Sequence, residues 1–215
     1  MVGDIAHICN RGVDKRIIFN SEADYCRFRD NLFLLNNSEG KLRTKQKNIF
    51  HNPDLPERDK LVEVLKWSLM PNHFHLLLYE IKEGGILEFT KRVGNAYTKY
   101  FNLKNKRSGY LFQNSSKIIP VLSEQHFPYI PIYIDLNAAD LISGTAEKKL
   151  SFIKSYQWSS LKNYCNEEYD DEVINKELFL KTFEIKLAHY DKDLEGFIED
   201  KGKMEAELEG VNLPR

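Results

Sequence analysis

Cysteine is scarce in this chain. Cys9, Cys26 and Cys165 are its only cysteines, and they show neither zinc-finger spacing nor the even count of a disulfide framework. They read as free thiols in a reducing compartment, small residues suited to burial. Long apolar runs are missing too: nothing approaches the roughly 20 residues that cross a bilayer. The first ten residues lack the basic start and apolar stretch of an export signal. The expectation is a cytoplasmic protein with no membrane partner. Internal repeats and low-complexity tracts are absent, which excludes solenoids and disordered linkers. Net charge is nearly absent as well, at -1.

That balance hides a division along the chain. Residues 166–215 carry 15 acidic against 7 basic side chains, so residues 1–165 hold 24 basic against 17 acidic, a surplus of seven positive charges. Lys91, Arg92, Lys99, Lys104, Lys106, Arg107 and Lys117 fall in one stretch with no acidic residue, interleaved with Tyr97, Tyr100, Phe101, Tyr110 and Phe112. Cations for phosphates and rings for bases make that stretch a candidate nucleic-acid surface; a solvated helix face answers the same pattern. The length of 215 residues suits one core with an extension. We therefore expect a basic main domain over residues 1–165 and an acidic, mainly helical extension over 166–215.

Apolar stretches at Ile5–Asn10 and Arg16–Phe19 predict a strand with a hairpin-like excursion. Ser21 with Asp24 forms a capping signal for a helix bearing Tyr25, Phe28, Leu32 and Leu35, ended by Asn36-Asn37-Ser38. Residues 38–60 read as an irregular loop. Leu61–Ser68 and His73–Tyr79 predict two strands joined by a tight turn at Met70-Pro71-Asn72. A second helix is expected over Ile86–Phe101, with Leu87, Phe89, Val93, Tyr97 and Tyr100 as its apolar stripe. A strand at Lys117–Val121 follows, then a helix opened by Ser123, Gln125 and Pro128 and reaching Leu141, its start delayed by Pro131. The order predicts an α+β fold: a ferredoxin- or RRM-like antiparallel sheet with helices on one face, plus the helical C-terminal extension.

His73 and His75 alternate along a strand, so both imidazoles leave the same face while Phe74 and Leu76 leave the other. Imidazoles this close can share a divalent cation, though packed or surface histidines give the same pattern. Tyr133 and Asn137, four residues apart, share a face of a helix. An amide oxygen from Asn137 would then join the histidines while the Tyr133 phenol meets a phosphate. A half-buried core tyrosine fits the spacing equally well.

Several stretches resemble the HUH single-strand transposases that carry one catalytic tyrosine, especially the REP-associated tyrosine transposase branch. His7–Gly12 (HICNRG) resembles that family's first strand, and Trp67–Leu77 (WSLMPNHFHLL) its signature strand. GNAYTKYFN from Gly94, SGYLFQ from Ser108, YIDLN from Tyr133 and YQWSS from Tyr156 follow in the family's order, over residues 5–165. The resemblance implies an HUH nuclease fold with His73, His75 and Asn137 as metal ligands and Tyr133 as nucleophile. It also implies Mg2+ or Mn2+ as cofactor, single-stranded DNA with a hairpin as partner, and cutting and rejoining through a 5'-phosphotyrosine without ATP. Arg11, within HICNRG, joins the basic stretch as a DNA-contact candidate, and Tyr97 is read as packing or DNA contact rather than as nucleophile. Relatives of this kind include both monomers and homodimers. The chain departs from the family pattern at Ala138, where proline is usual, at Asn114–Ser116, where glycine and a basic residue are usual, and at Pro131.

Two other readings stand beside this one. A non-catalytic, domesticated single-stranded nucleic-acid-binding protein would use the same sheet and basic stretch, although the strands show no aromatic signature of the RNP type. A small-molecule metal phosphoesterase would need a water nucleophile and a general base, neither of which stands out.

Overall fold

The structure is a computed structural model that describes residues 1–41, 57–121, 127, 129–165 and 171–208, with backbone alone over 199–208. Strands β1 (Ile5–Arg11), β2 (Val62–Met70), β3 (His73–Glu80) and β4 (Lys117–Pro120) form one antiparallel sheet in the order β2-β3-β1-β4. Helices α1 (Glu22–Leu34) and α2 (Gly85–Lys104) come before β4. After it come α3 (Tyr129–Leu136), a 3-10 turn at Asn137–Leu141, and α4 (Ala146–Ser155). Helices α5 (Lys162–Cys165), α6 (Lys176–Phe183) and α7 (Leu187–Leu208) follow. The α+β class expected from the sequence is the one observed.

The central strands β1 and β3 are buried on both faces. Phe74, Leu76 and Leu78 of β3 enter a core shared with Phe28, Leu32, Phe89, Val93 and Tyr97 of α1 and α2. Each such fully buried side chain contributes about 1.5 to 3 kcal/mol of transfer free energy. Leu77 enters a second core with Ile132, Ile134 and Leu136 of α3, Ile153 of α4, and Tyr190 and Leu194 of α7. Thus α1 and α2 cover one face, as expected, and the later helices cover the other.

Helix α1 starts where its capping box requires. The Asp24 carboxylate accepts from the backbone N–H groups of Asn20 and Ser21 at 2.9 and 3.0 Å. Beyond its end, Asn36 accepts from the N–H of Leu61 at 2.9 Å and donates to the Val62 carbonyl at 2.8 Å, bolting the helix exit to β2. On α2 the buried stripe is Ile86, Phe89, Val93, Tyr97 and Phe101; Leu87 lies outside it, 48% exposed, and Tyr100 is half-buried. Spacings of three and four residues select that set, whereas Leu87 is two residues from Phe89 and so leaves another face.

The excursion expected at Arg16–Phe19 does not pair as a strand. Asp14 and Lys15 adopt positive φ (55° and 56°) and turn the chain, and the N–H groups of Ile18 and Phe19 both donate to the Pro71 carbonyl. Gly12 sits inside this turn, where a Cβ would lie 2.4 Å from the Arg16 carbonyl oxygen. The expected turn between β2 and β3 occurs, with Pro71 and Asn72 between the strands. Pro131 lies in the first turn of α3, where a missing N–H breaks no helical bond. Ser123, Gln125 and Pro128, the expected helix opening, lie outside the described residues, as does most of the irregular loop, residues 42–56.

Strand β2 contains a bulge. Val64 pairs with Leu78 and Lys66 with Leu77, which leaves Leu65 as an extra residue. Side-chain phase flips there: Val64 and Trp67 enter the first core, while Leu65 and the Lys66 ammonium reach the second. The outer edge of β2 is covered by the segment 156–160 and by Asn175, through bonds that include Leu69 N–H to the Trp158 carbonyl and Ser160 N–H to the Trp67 carbonyl, both 2.8 Å.

Candidate metal centre

Register assembles the site. Cys9 lies opposite His75 and Arg11 opposite His73 in the β1–β3 pair, so His7, Cys9, Arg11, His73 and His75 share the face that α3 covers. His7 Nε2 and His75 Nδ1 are hydrogen-bonded at 2.7 Å. Their ring centroids are 5.0 Å apart with 9° between the planes. A contact that short between nitrogens at that centroid separation means the rings lie edge to edge, nearly coplanar, rather than face to face. Tyr133 stands across both, its ring 5.7 Å from His75 and 5.9 Å from His7, at 84° and 77° to them.

Asn137, at the start of the 3-10 turn, donates from Nδ2 to the Tyr133 carbonyl at 2.7 Å, and its side chain lies near enough to His73 to favour the charged imidazole slightly. His73 Nδ1 also contacts Asn72 Oδ1 at 2.6 Å. The four residues singled out by spacing, His73, His75, Tyr133 and Asn137, are therefore together. His7, Cys9, His75, Tyr133 and Asn137 are buried, and the half-exposed His73 and Arg11 form the side nearest solvent.

Burial dominates the electrostatics. It lowers His7 to about 3, and lowers His73 to about 4 with Arg11 adding to the effect. His75 is pushed well below the usual imidazole range, first by burial and then by its neighbours His7, His73 and Arg11. All three are neutral near pH 7, the state in which an imidazole lone pair can bind a cation. His7 Nδ1 and His75 Nε2 are buried with no hydrogen-bond partner among the described residues. One ligand atom from each of His7, Cys9 and His75 lies within 4.8 Å of the other two, so this buried His-Cys-His group can hold a metal ion. Reasoning from the sequence missed His7 and Cys9 as candidate donors. Their i, i+2 spacing in β1 was the available signal, but their meeting with His75 depends on strand register.

The basic candidates divide. Lys91 lines a cavity of about 690 Å³ beside the end of β1, between α2 and residues 109–118, with Asn10, Thr98, Phe112 and Tyr110, the last 87% exposed. Arg92 is committed to Glu88 at 2.7 Å and to the Asn37 carbonyl at 2.6 Å. Lys104 pairs with Asp24 at 2.6 Å, and Arg107 donates to Asn102 Oδ1 at 2.6 Å and to the Tyr110 carbonyl at 2.9 Å. Lys99, Lys106 and Lys117 are exposed. Tyr97 is packing: wholly buried, its hydroxyl donates to the Ile18 carbonyl at 2.5 Å. Of the cysteines only Cys9 is buried, and burial raises its thiol to about 12; Cys26 and Cys165 are exposed. Among the described residues no helix is long and apolar enough to cross a membrane.

No family model and no curated protein matches this chain. Among solved structures it is similar to a REP-associated tyrosine transposase bound to a REP hairpin, with 11% identity and a TM-score of 0.47, over 80% of this chain and 88% of that one.

Proposed function

We propose that this protein is a metal-dependent DNA strand transferase that nicks and rejoins single-stranded, hairpin-bearing DNA through Tyr133. The observation that carries the reading is the placement of a helix-borne phenol across two neutral imidazoles, with Asn137 bonded to the Tyr133 carbonyl and His73 packed edge-on against His75. His73, His75 and Asn137 would hold the cation, Mg2+ or Mn2+ on the resemblance described above. The unpartnered Nε2 of His75 fits that role, because a buried polar nitrogen without a partner is costly unless something binds it. Such an ion supplies charge stabilisation for a phosphate in transfer.

The remaining steps belong to the chain. DNA enters past His73 and Arg11, the members nearest solvent, with the Arg11 guanidinium available to a phosphate. The Tyr133 oxygen forms a bond to phosphorus as the bond to the 3' oxygen breaks, and the phenolic proton ends on the released 3' hydroxyl. One phosphodiester-type ester replaces another, so the strand can be rejoined by the reverse attack without a nucleotide triphosphate. Asn137 positions Tyr133 through its bond to the Tyr133 carbonyl. Lys91 and the exposed Tyr110 offer the neighbouring groove a phosphate contact and a stacking surface. The 690 Å³ groove also supports the second reading, binding without cleavage.

Incubation with hairpin-bearing single-stranded DNA and Mg2+ tests the proposal. A denaturant-resistant protein–DNA adduct is expected, and it should disappear in Tyr133→Phe. In His73→Ala cleavage should be lost and binding kept. Binding by the wild-type protein with no adduct under any divalent cation sinks the nuclease reading and leaves the binding protein.

A further inference from the structure

The His75 imidazole faces two ways. Its Nδ1 meets His7 within the buried His7-Cys9-His75 group, and its Nε2 is the unpartnered nitrogen assigned above to the catalytic ion. The donors on the Nδ1 side are two imidazoles and one thiol, a set that suits soft or borderline cations such as Zn2+ rather than Mg2+. We propose that His7 Nε2, Cys9 Sγ and His75 Nδ1 form a second metal site, selective for Zn2+, whose occupation excludes the hard cation from His75.

The geometry is close to what such an ion needs. Zinc holds nitrogen at about 2.0 to 2.1 Å and sulfur at about 2.3 Å, which places tetrahedral donors roughly 3.4 to 3.7 Å apart. The two nitrogens start 2.7 Å apart, edge to edge, and one ligand atom from each of the three residues lies within 4.8 Å of the other two. Parting of the rings by about 0.7 Å and approach of the sulfur by up to about 1.2 Å would close the site. The ion then takes the place of the proton shared between His7 and His75.

Protons account for the exclusion. The Cys9 thiol loses its proton to solvent, and the proton between the imidazoles moves to an outer nitrogen. A neutral imidazole has a single lone pair in its ring plane, so His75 bound through Nδ1 carries its proton on Nε2 and offers nothing to a second ion. The site stands on the cluster alone; only its inhibitory consequence rests on the nuclease reading.

Co2+ substituted for Zn2+ gives a readout that does not depend on cleavage. The wild-type protein with Co2+ should show visible bands of a four-coordinate ion and a near-ultraviolet thiolate-to-cobalt charge-transfer band, both abolished by one equivalent of Zn2+. Zn2+ binding should release about one proton. Cys9→Ser should abolish the charge-transfer band and weaken Zn2+ binding by more than about 100-fold, beyond the 10- to 100-fold typical of losing a second-shell partner. His73→Ala should leave the band intact. A wild-type Co2+ spectrum with no thiolate band, or a band that survives in Cys9→Ser, overturns the proposal; the first result is read on the unmutated chain, so it holds whether or not the variant folds. A thiolate band in a protein that forms no DNA adduct would retain this site while removing the nuclease reading; an adduct without the band would do the reverse.

Discussion

Lys66 and Asp135 meet at 2.5 Å with neither side chain exposed to solvent. The Lys66 ammonium lies over the rings of Tyr164, Phe179 and Tyr190 at 4.0, 4.8 and 4.9 Å, and the Tyr190 hydroxyl donates to Asp135 at 2.6 Å. Asp135 lies between Tyr133 and Asn137 in α3, so this pair ties the helix of the candidate nucleophile to the sheet and to α7. Burial pushes Lys66 down and Asp135 up, each toward neutrality, and their mutual attraction pulls the other way.

Removing one partner of such a pair strands the other in an apolar core. Lys66→Met should therefore cost about 3 to 5 kcal/mol in urea unfolding. Lys66→Met combined with Asp135→Leu should recover most of that loss. A double variant as unstable as the single one would show that the ionic contact itself, rather than an orphaned charge, governs stability there.

Gly12→Ala should destabilise by about 1 to 3 kcal/mol, because the new Cβ meets backbone that has to move. It would stand 2.4 Å from the Arg16 carbonyl oxygen and 2.8 Å from Ile18 Cγ2. Thermal unfolding of the purified variant checks this, and an unchanged Tm would remove the steric account of the glycine.

The two neighbouring cations on α2 should behave differently. Lys91 faces the groove, so Lys91→Ala should reduce the slope of log K against log salt for single-stranded DNA by about 0.7. Arg92 is already committed to Glu88 and to two carbonyls, so Arg92→Ala should lower stability and leave the slope unchanged. Equal slopes for wild type and Lys91→Ala would take the DNA away from this groove.

Acid should loosen the packing of α1 against α2 through Asp24. Burial alone would raise this carboxyl, but bonds from Lys104, Tyr100 and the Asn20 N–H outweigh it and hold the pKa below the ordinary aspartate value. Between the folded and unfolded pKa values the unfolded chain binds more protons. The contribution of Asp24 is thus complete above about pH 4 and lost as pH falls through the folded value. Denaturant titrations from pH 5 to pH 2 should show this slope, and Asp24→Asn should flatten it.

Local periodicity made part of this molecule legible. Period two in His73–Tyr79 put both imidazoles on one face, and the four-residue step from Tyr133 to Asn137 survived although the α-helix gives way to a 3-10 turn at Asn137. Ser21 and Asp24 marked the start of α1 correctly. What escaped was non-local. His7 and Cys9 join the site only because Cys9 pairs with His75 across 66 positions of sequence. The bulge at Leu65 breaks alternation without any glycine to signal it, and so a lysine in an apolar strand gave no hint that it ends wholly buried against Asp135. Leu87 was assigned to the stripe because it is apolar, yet its angular position on α2 directs it to the groove.

The covering of β2 by Trp158, Ser160 and Asn175 has a consequence for association. That flank has several of its backbone donors and acceptors already engaged, and β4 at the opposite flank is four residues long, begins with Lys117 and ends in Pro120. Joining two copies by extending the sheet is therefore discouraged on both sides, and any self-association of this protein would have to be built from helices or loops.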